Sequence, residues 1–263
     1  MKIAFLGGGR ITNALLAGLE LANVRQPILV HDRNPHKLRR LREAYGVAVE
    51  TDLHRAVDKA QLIIIAVRPA SVADLLRQIG KVDRPLYAVS LAAGIPLKNL
   101  RARLGPSVRW ARAMPSPVCR TGRGLTGLTF DRGFPARTKR QVRNVFAKVG
   151  TVIEIPESKF DAFTVTYSSS HGYHALATLA AAAGKIGLDR ETALTAAAHA
   201  LADGIVSWRE GNTPLNALLH EAATPGGIAA AVMKAMDQTG YGRVVERGLK
   251  AGLRRARENA KKN

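Results

Sequence analysis

The run Gly7-Gly8-Gly9-Arg10-Ile11-Thr12 carries the clearest chemical signal in the chain. It follows the short apolar run Ile3–Leu6 and opens the helical spacing of Ile11–Leu21. Glycines placed between a strand and a helix suit a diphosphate. Gly7 allows the tight turn, Gly9 lets the ligand approach the backbone, and the helix start presents N–H groups and a positive dipole end to the negative charge. The spacing fits the dinucleotide fingerprint G-x-G-x-x-G except at its end, where Thr12 asks for a slightly wider helix–strand approach while Ala14 stays small. A glycine-rich turn without a ligand is the bland alternative. The position within a strand–helix–strand unit favours the dinucleotide, with Gly7, Gly9, Arg10 and Ile11 as its contacts. Asp32 lies 23 residues after Gly9, at the end of the next apolar run. Its carboxylate can accept from ribose hydroxyls, which favours NAD, whereas Arg33, with Lys37 and Arg39 nearby, can pair with a 2′-phosphate. The basic surroundings incline the reading to NADP(H) over NAD(H). Alternatively, Asp32 salt-bridges Arg33 and takes no direct part.

These residues need a frame, and the first half of the chain supplies one. Strand signals at Ile3–Leu6, Ile28–His31 and Leu62–Val67 alternate with helix signals at Ile11–Leu21 and Pro35–Tyr45. Short, nearly continuous apolar runs belong to parallel strands covered on both faces, so the pattern predicts an α/β doubly wound sheet of Rossmann type. Further strands are expected at Leu86–Leu91, Gly124–Phe130 and Thr151–Ile155. Near Pro156 the character changes, and Ala-rich helical stretches follow with no strand pattern. The expected division is a nucleotide-binding domain over 1–156 and an all-helical domain over 157–263. Asp189 caps a helix running to about Arg209, Gly187 suits the end of the one before, Thr213-Pro214 reads as a cap and first-turn proline, and a last helix spans about 242–259. Ala supplies little apolar area, so such helices gain core by pairing with a second copy.

The chain has 263 residues, 46% of them hydrophobic, and no apolar run of the ~20 residues needed to cross a bilayer. Met1–Leu6 runs straight into glycines, which reads as a first strand and not as a signal peptide. The one cysteine, Cys119, has no disulfide partner and no zinc-ligand companions, and His199 and His220 lack partners at ligand spacing. A cytoplasmic protein without a metal is expected. Forty Lys+Arg against twenty Asp+Glu give a net charge of +20, which would attract phosphates generally. The excess sits in the first half: residues 101–150 hold twelve basic residues and one acidic, residues 151–250 eight basic and ten acidic. No basic run interleaves with aromatics, which are only 5% of residues, so an Arg-rich solvated surface is preferred to nucleic-acid binding. Trp110 and Trp208 read as packing groups and Cys119 as a small buried hydrophobe.

Four further segments, Ala66-Val67-Arg68-Pro69, Ser90-Leu91-Ala92-Ala93-Gly94, Arg112-Ala113-Met114-Pro115 and Thr224-Pro225-Gly226-Gly227, follow in order and spacing the patterns A-V-K-P, S-x-A-A-G, R-x-M-P-N and [ST]-P-G-G-T. In these, and over nearly its whole length, the chain resembles the pyrroline-5-carboxylate reductase family. The resemblance implies an NAD(P)H-dependent reductase of a cyclic imine, leading to L-proline or to an altered product. It also implies a helical domain that dimerises, giving a homodimer or an oligomer of dimers. Cofactor contacts are then expected at Ala66, Val67, Arg68, Pro69, Ala92, Ala93 and Gly94, and substrate contacts at Met114, Pro115, Thr224, Pro225, Gly226 and Gly227.

The family's S-G-S-G-P-A-Y segment reads here Tyr167-Ser168-Ser169-Ser170-His171-Gly172-Tyr173, where Ser169 and Ser170 can donate to a carboxylate or serve as ordinary helix caps. The departures concern chemistry more than fold. Ser116 replaces Asn after Met-Pro, His171 replaces Pro, and Ala229 replaces the Thr after Pro-Gly-Gly-x. Ala229 has no hydroxyl to offer the imine nitrogen, which makes His171 the candidate proton donor, with Tyr173 or Tyr167 to orient it or the substrate. A solvated helix-start histidine is the competing role for His171. An NAD(P)-binding regulatory protein of the same fold with impaired catalysis is the alternative to an imine reductase.

Overall fold

The computed structural model describes residues 1–262. Its contacts divide the chain into two compact units, one of Met1–Tyr167 with Ala251–Asn263 and one of Ser168–Lys250.

The first unit is built on β1 (Ile3–Leu6), α1 (Arg10–Leu21), β2 (Ile28–His31), α2 (Pro35–Tyr45), β3 (Ala48–Glu50), α3 (Leu53–Asp58), β4 (Leu62–Ile65), α4 (Val72–Ile79), β5 (Leu86–Ser90), α5 (Leu97–Arg101), β6 (Val108–Met114), β7 (Gly124–Phe130), α6 (Ala136–Ala147), β8 (Gly150–Glu154) and α7 (Glu157–Thr166). The strands form one sheet in the order β3-β2-β1-β4-β5-β6-β7-β8. From β3 to β6 every pairing is parallel. β7 then runs antiparallel to β6, with Met114 opposite Gly127, and β8 is parallel to β7. The sheet is therefore the doubly wound, mainly parallel sheet expected, with one antiparallel pairing between β6 and β7.

β1 and β4 are apolar at every position because each face has its own core. Ile3, Phe5, Leu62 and Ile64 point to the layer that holds Leu15, Leu16, Leu38 and Phe146 of α1, α2 and α6. Ala4, Leu6, Ile63 and Ile65 point to the layer of Val57, Leu76, Leu100 and Trp110. This is the period-2 geometry of a strand with both sides buried. Trp110 is a core residue, as expected, and so is Cys119, whose thiol burial pushes up to about 11, beyond the opposing pull of Arg120. β3 and β6 carry no strand signal in the sequence. The first has three residues, and the second, Val-Arg-Trp-Ala-Arg-Ala-Met, places a fully buried arginine in mid-strand.

The second unit contains α8 (Ser169–Lys185), α9 (Arg190–Glu210), α10 (Leu215–Ala222), α11 (Ile228–Gln238) and the start of α12 (Tyr241–Lys261), whose last turns belong to the first unit. Asp189 caps α9 through the Glu191 and Thr192 amides. The cap position of α10 is Pro214 and no side chain bonds there, so Thr213 does not play the capping part expected of it. Little of this unit is buried. Trp208 is 45% exposed, against its expected packing role, and Ile186, Ile205, Leu215 and Ile228 are exposed as well.

Candidate functional site

A parallel sheet gathers the carboxyl ends of its strands on one edge, and a ligand crevice opens where the strand order reverses. Here β1 has β2 on one side and β4 on the other, so the reversal lies between β1 and β4. The loop after β1 is pinned there by Gly7 N–H donating to His31 O at 2.8 Å and by Ala66 N–H donating to Leu6 O at 2.9 Å. Gly7 has φ +114°, and a Cβ on it would lie 2.8 Å from the Ala66 carbonyl oxygen. Only glycine suits that turn. Gly9, the cap residue of α1, is extended and its missing Cβ faces open space, with one atom at 4.0 Å. No side chain caps α1, as none caps α4, α5, α6, α7, α10 or α11; what sets α1 apart is its place directly after the glycine loop at the strand-order reversal. The uncapped N–H groups of Arg10 and Ile11, behind a glycine that leaves room, make a cradle for a diphosphate.

Thr12 is buried with its hydroxyl donating to the Gly7 carbonyl, so the side chain at the fingerprint's third glycine is satisfied locally. The close approach that glycine would give is found at Gly18 instead, where a Cβ would collide with the Cys119 carbonyl. Only a distant segment explains Gly18, and sequence reading missed it.

Asp32 turns its carboxylate toward the loop. Oδ2 accepts from Gly8 N–H at 2.8 Å, Oδ1 accepts from Asn34 N–H at 2.9 Å, and Lys37 Nζ stands 3.4 Å from Oδ2. Burial pushes this carboxyl up, but the Asn34 and Gly8 amides and the Lys37 charge together hold it below its usual value. The ion-pair partner is Lys37, not Arg33 as the sequence alternative had it. Arg33 and Arg10 are both exposed.

The other cofactor candidates lie on the same edge. Ala66 is buried, Val67 half-buried, and Arg68 exposed where it enters the short turn Pro69–Ser71. After β5, Ala92 N–H donates to Ser90 Oγ, and the Ala93 carbonyl accepts from Asn259 of α12 at 3.3 Å. Gly94 has φ +77°, and a Cβ there would lie 2.6 Å from the Ala256 carbonyl. The last turns of α12 therefore account for that glycine.

β6 ends at Met114, half-buried, and Pro115, buried, follows it. Arg112, two residues before Met114, is 1% exposed and pairs with Glu157 at 3.1 Å and Asp161 at 2.6 Å, its guanidinium 4.5 Å from the Phe160 ring centre. Glu157 also accepts from Leu97 N–H at 2.8 Å. Arg112 thus anchors α7 to the sheet. At the far end of α7, Tyr167 Oη lies 2.9 Å from Ser116 Oγ and accepts from Leu125 N–H at 2.8 Å, so its hydroxyl ties this end of α7 to the first unit.

The remaining candidates belong to the second unit. Ser168, one residue before the two serines singled out, caps α8, and its hydroxyl lies 2.7 Å from that of Ser170. Ser169 is half-buried, and His171 and Tyr173 are exposed. Thr224 to Gly227 form a tight turn in which Gly227 N–H donates to Thr224 O at 2.9 Å, with Gly226 at φ +77°. A cavity of about 440 Å³ lined by Leu97, Arg101, Asp131, Arg132 and Glu157 shares no residue with any of these sets.

Residues 2–94 match the family described as NADP oxidoreductase, coenzyme F420-dependent, and residues 157–259 match that described as pyrroline-5-carboxylate reductase dimerisation. The pyrroline-5-carboxylate reductase of Thermus thermophilus is 34% identical and that of Corynebacterium melassecola 30%, each with 98% of both chains covered. The chain belongs to the pyrroline-5-carboxylate reductase family. As a member it is an NAD(P)H oxidoreductase acting on a C=N bond. Its fold is that of the Plasmodium falciparum pyrroline carboxylate reductase solved with NADP bound, at TM-score 0.85 and 19% identity over 99% of this chain and 98% of that one. In this reductase the fingerprint, Asp32, Ala66–Pro69, Ala92–Gly94 and Met114–Pro115 share one edge of the sheet, while His171, Tyr173 and the Thr224–Gly227 turn belong to the helical unit.

Proposed function

We propose that the chain reduces pyrroline-5-carboxylate, or a cyclic imine of similar size carrying a carboxylate, with NADPH. The observation that carries the reading is the uncapped start of α1 behind Gly7 and Gly9 at the β1/β4 reversal. Bound NADPH supplies the hydride. The chain's own part is to hold the diphosphate with the Arg10 and Ile11 amides and to flank the cofactor with Ala66 to Pro69 and Ala92 to Gly94.

NADPH is favoured over NADH because both Asp32 oxygens already accept backbone N–H groups, which leaves the carboxylate poorly placed to take ribose hydroxyls. Arg33 is exposed and offers a fork for a 2′-phosphate. Met114, Pro115, Ser169, Ser170 and the Thr224–Gly227 turn form the substrate set in this reading. Ala229 has no hydroxyl, so His171, oriented by Tyr173, donates the proton. The active species is a homodimer or an oligomer of dimers, assembled through the helical unit.

The test is oxidation of NADPH and of NADH by the purified protein with pyrroline-5-carboxylate, beside smaller and larger cyclic imines. Turnover of pyrroline-5-carboxylate with NADPH preferred is expected, and His171→Ala should lower it without lowering the melting temperature. Intact NADPH binding without turnover of any imine would make this a nucleotide-binding regulatory protein.

A further inference from the structure

The last turns of α12, which belong to the first unit, close on the loop after β5 through side chains aimed at backbone. Asn259 Nδ2 donates to the Ala93 carbonyl at 3.3 Å, and Asn99 Nδ2 donates to the Ala260 carbonyl at 2.8 Å. The two bonds run in opposite directions and do different things. Ala260 lies in the last turn of α12, where carbonyls have no partner inside the helix, so Asn99 closes that end. Asn259 instead fixes a carbonyl of the loop itself. One turn before Ala260, Ala256 is buried against Gly94, where a Cβ would lie 2.6 Å from the Ala256 carbonyl oxygen.

Gly94 and Gly9 are thus glycines for opposite reasons. The space beside Gly9 is open, whereas the space beside Gly94 is taken by α12. From Ala92 to Gly94 the loop has little freedom: the Ala92 amide is held by Ser90 Oγ, the Ala93 carbonyl by Asn259 and the Gly94 backbone by its contact with Ala256.

The order of the sheet says which part of a dinucleotide this loop would meet. β2, with Asp32 and Arg33 just after it, lies on one side of β1, and β4 and β5 lie on the other. With the diphosphate on the β1 loop and the adenosine half toward β2, the loop after β5 falls to the nicotinamide half.

We propose that Asn259 is a positioning residue for the cofactor, its bond to Ala93 holding the Ala92–Gly94 loop in the shape that receives the nicotinamide half of NADPH. The proposal rests on the cofactor reading above and adds to it a residue from the far end of the chain.

The test sets a fluorescence titration with NADPH beside a calorimetric titration with adenosine 2′,5′-bisphosphate, which has the adenosine half and no nicotinamide. Asn259→Leu keeps the size of the side chain and removes the donor. It should weaken NADPH binding about fivefold, the scale of one hydrogen bond, and leave the bisphosphate unchanged. Asn259→Gln, which keeps the donor, should stay nearer the wild type. Equal weakening of both ligands would make the end of α12 a brace for the whole unit, and no weakening of either would also overturn the proposal. A wild type that binds the bisphosphate as tightly as NADPH would take the β5 loop out of the cofactor site and leave the adenosine site standing. A wild type that binds neither would sink the cofactor reading along with this one. The selective loss of NADPH in Asn259→Leu would support the proposal even if no imine were turned over, so the reaction can fail without it. Asn259→Ala carries the same test if the leucine variant does not fold.

Discussion

Gly7 and Gly9 stand two positions apart and lack a side chain for different reasons. At Gly7 both the backbone, at φ +114°, and the Ala66 carbonyl forbid a Cβ. At Gly9 the backbone is ordinary and the space is open, so the protein itself does not require glycine there. Gly7→Ala should therefore cost about 1–3 kcal/mol of stability for the strained conformation alone. Gly9→Val should cost about 1 kcal/mol or less, the scale of a helix-cap change, yet weaken NADPH binding by tenfold or more. Thermal melting beside a fluorescence titration with NADPH separates the two. Unchanged NADPH affinity in Gly9→Val would remove the diphosphate from this loop. The sequence showed the loop because glycine spacing is a local property. It did not show how Thr12 is satisfied or why position 18 is glycine, since one depends on the Gly7 carbonyl and the other on a carbonyl far along the chain.

The element that joins sheet to helices is α7, and it is held at both ends by side chains. Arg112 reaches from β6 to Glu157 and Asp161 near its start, and Tyr167 returns to Ser116 and β7 at its end. The compositional change near Pro156 is visible in the sequence because strand patterns stop there. Which compact unit α7 joins is not visible, because that depends on these pairings between distant residues. The same arginine hid β6, whose buried charge breaks the expected alternation, while β1, β2 and β4 were legible from their apolar runs. Arg112→Ala leaves two carboxylates facing each other without their cation. Removing one partner of a buried pair costs about 3–5 kcal/mol, and the lower end applies because Glu157 and Asp161 keep one-third exposure. Arg112→Lys should lose less, since a lysine can reach one carboxylate but cannot span both as a planar fork. Urea unfolding checks both variants, and a loss below about 1 kcal/mol for Arg112→Ala would mean that neither the ion pairs nor the guanidinium's contact with Phe160 holds α7.

Over the whole molecule, charge and apolar surface are distributed to opposite units. Residues 168–250 hold seven Lys and Arg against seven Asp and Glu, a balance of zero, so all of the +20 belongs to the unit with the glycine loop. A basic body suits phosphate-rich ligands. The neutral unit is the one that exposes Leu, Ile, Val, Met and Trp side chains, a surface that water does not favour and a second copy can cover. Neutrality matters for self-association, because a two-fold interface sets the same patch of each copy against itself and a charged patch would repel. On α11, Val232 is 52% exposed and Met236, one turn on, 42%, so both lie on one face of the helix. Val232→Glu with Met236→Glu places four carboxylates in such an interface across two copies. Sedimentation equilibrium should give a dimer or a multiple of it for the wild type and a monomer for the double variant. The wild-type melting temperature should rise with protein concentration and that of the variant should not. A variant that still sediments as the wild type would move the interface off α11. A wild type monomeric at tens of micromolar would leave the exposed helices without the partner that their composition requires.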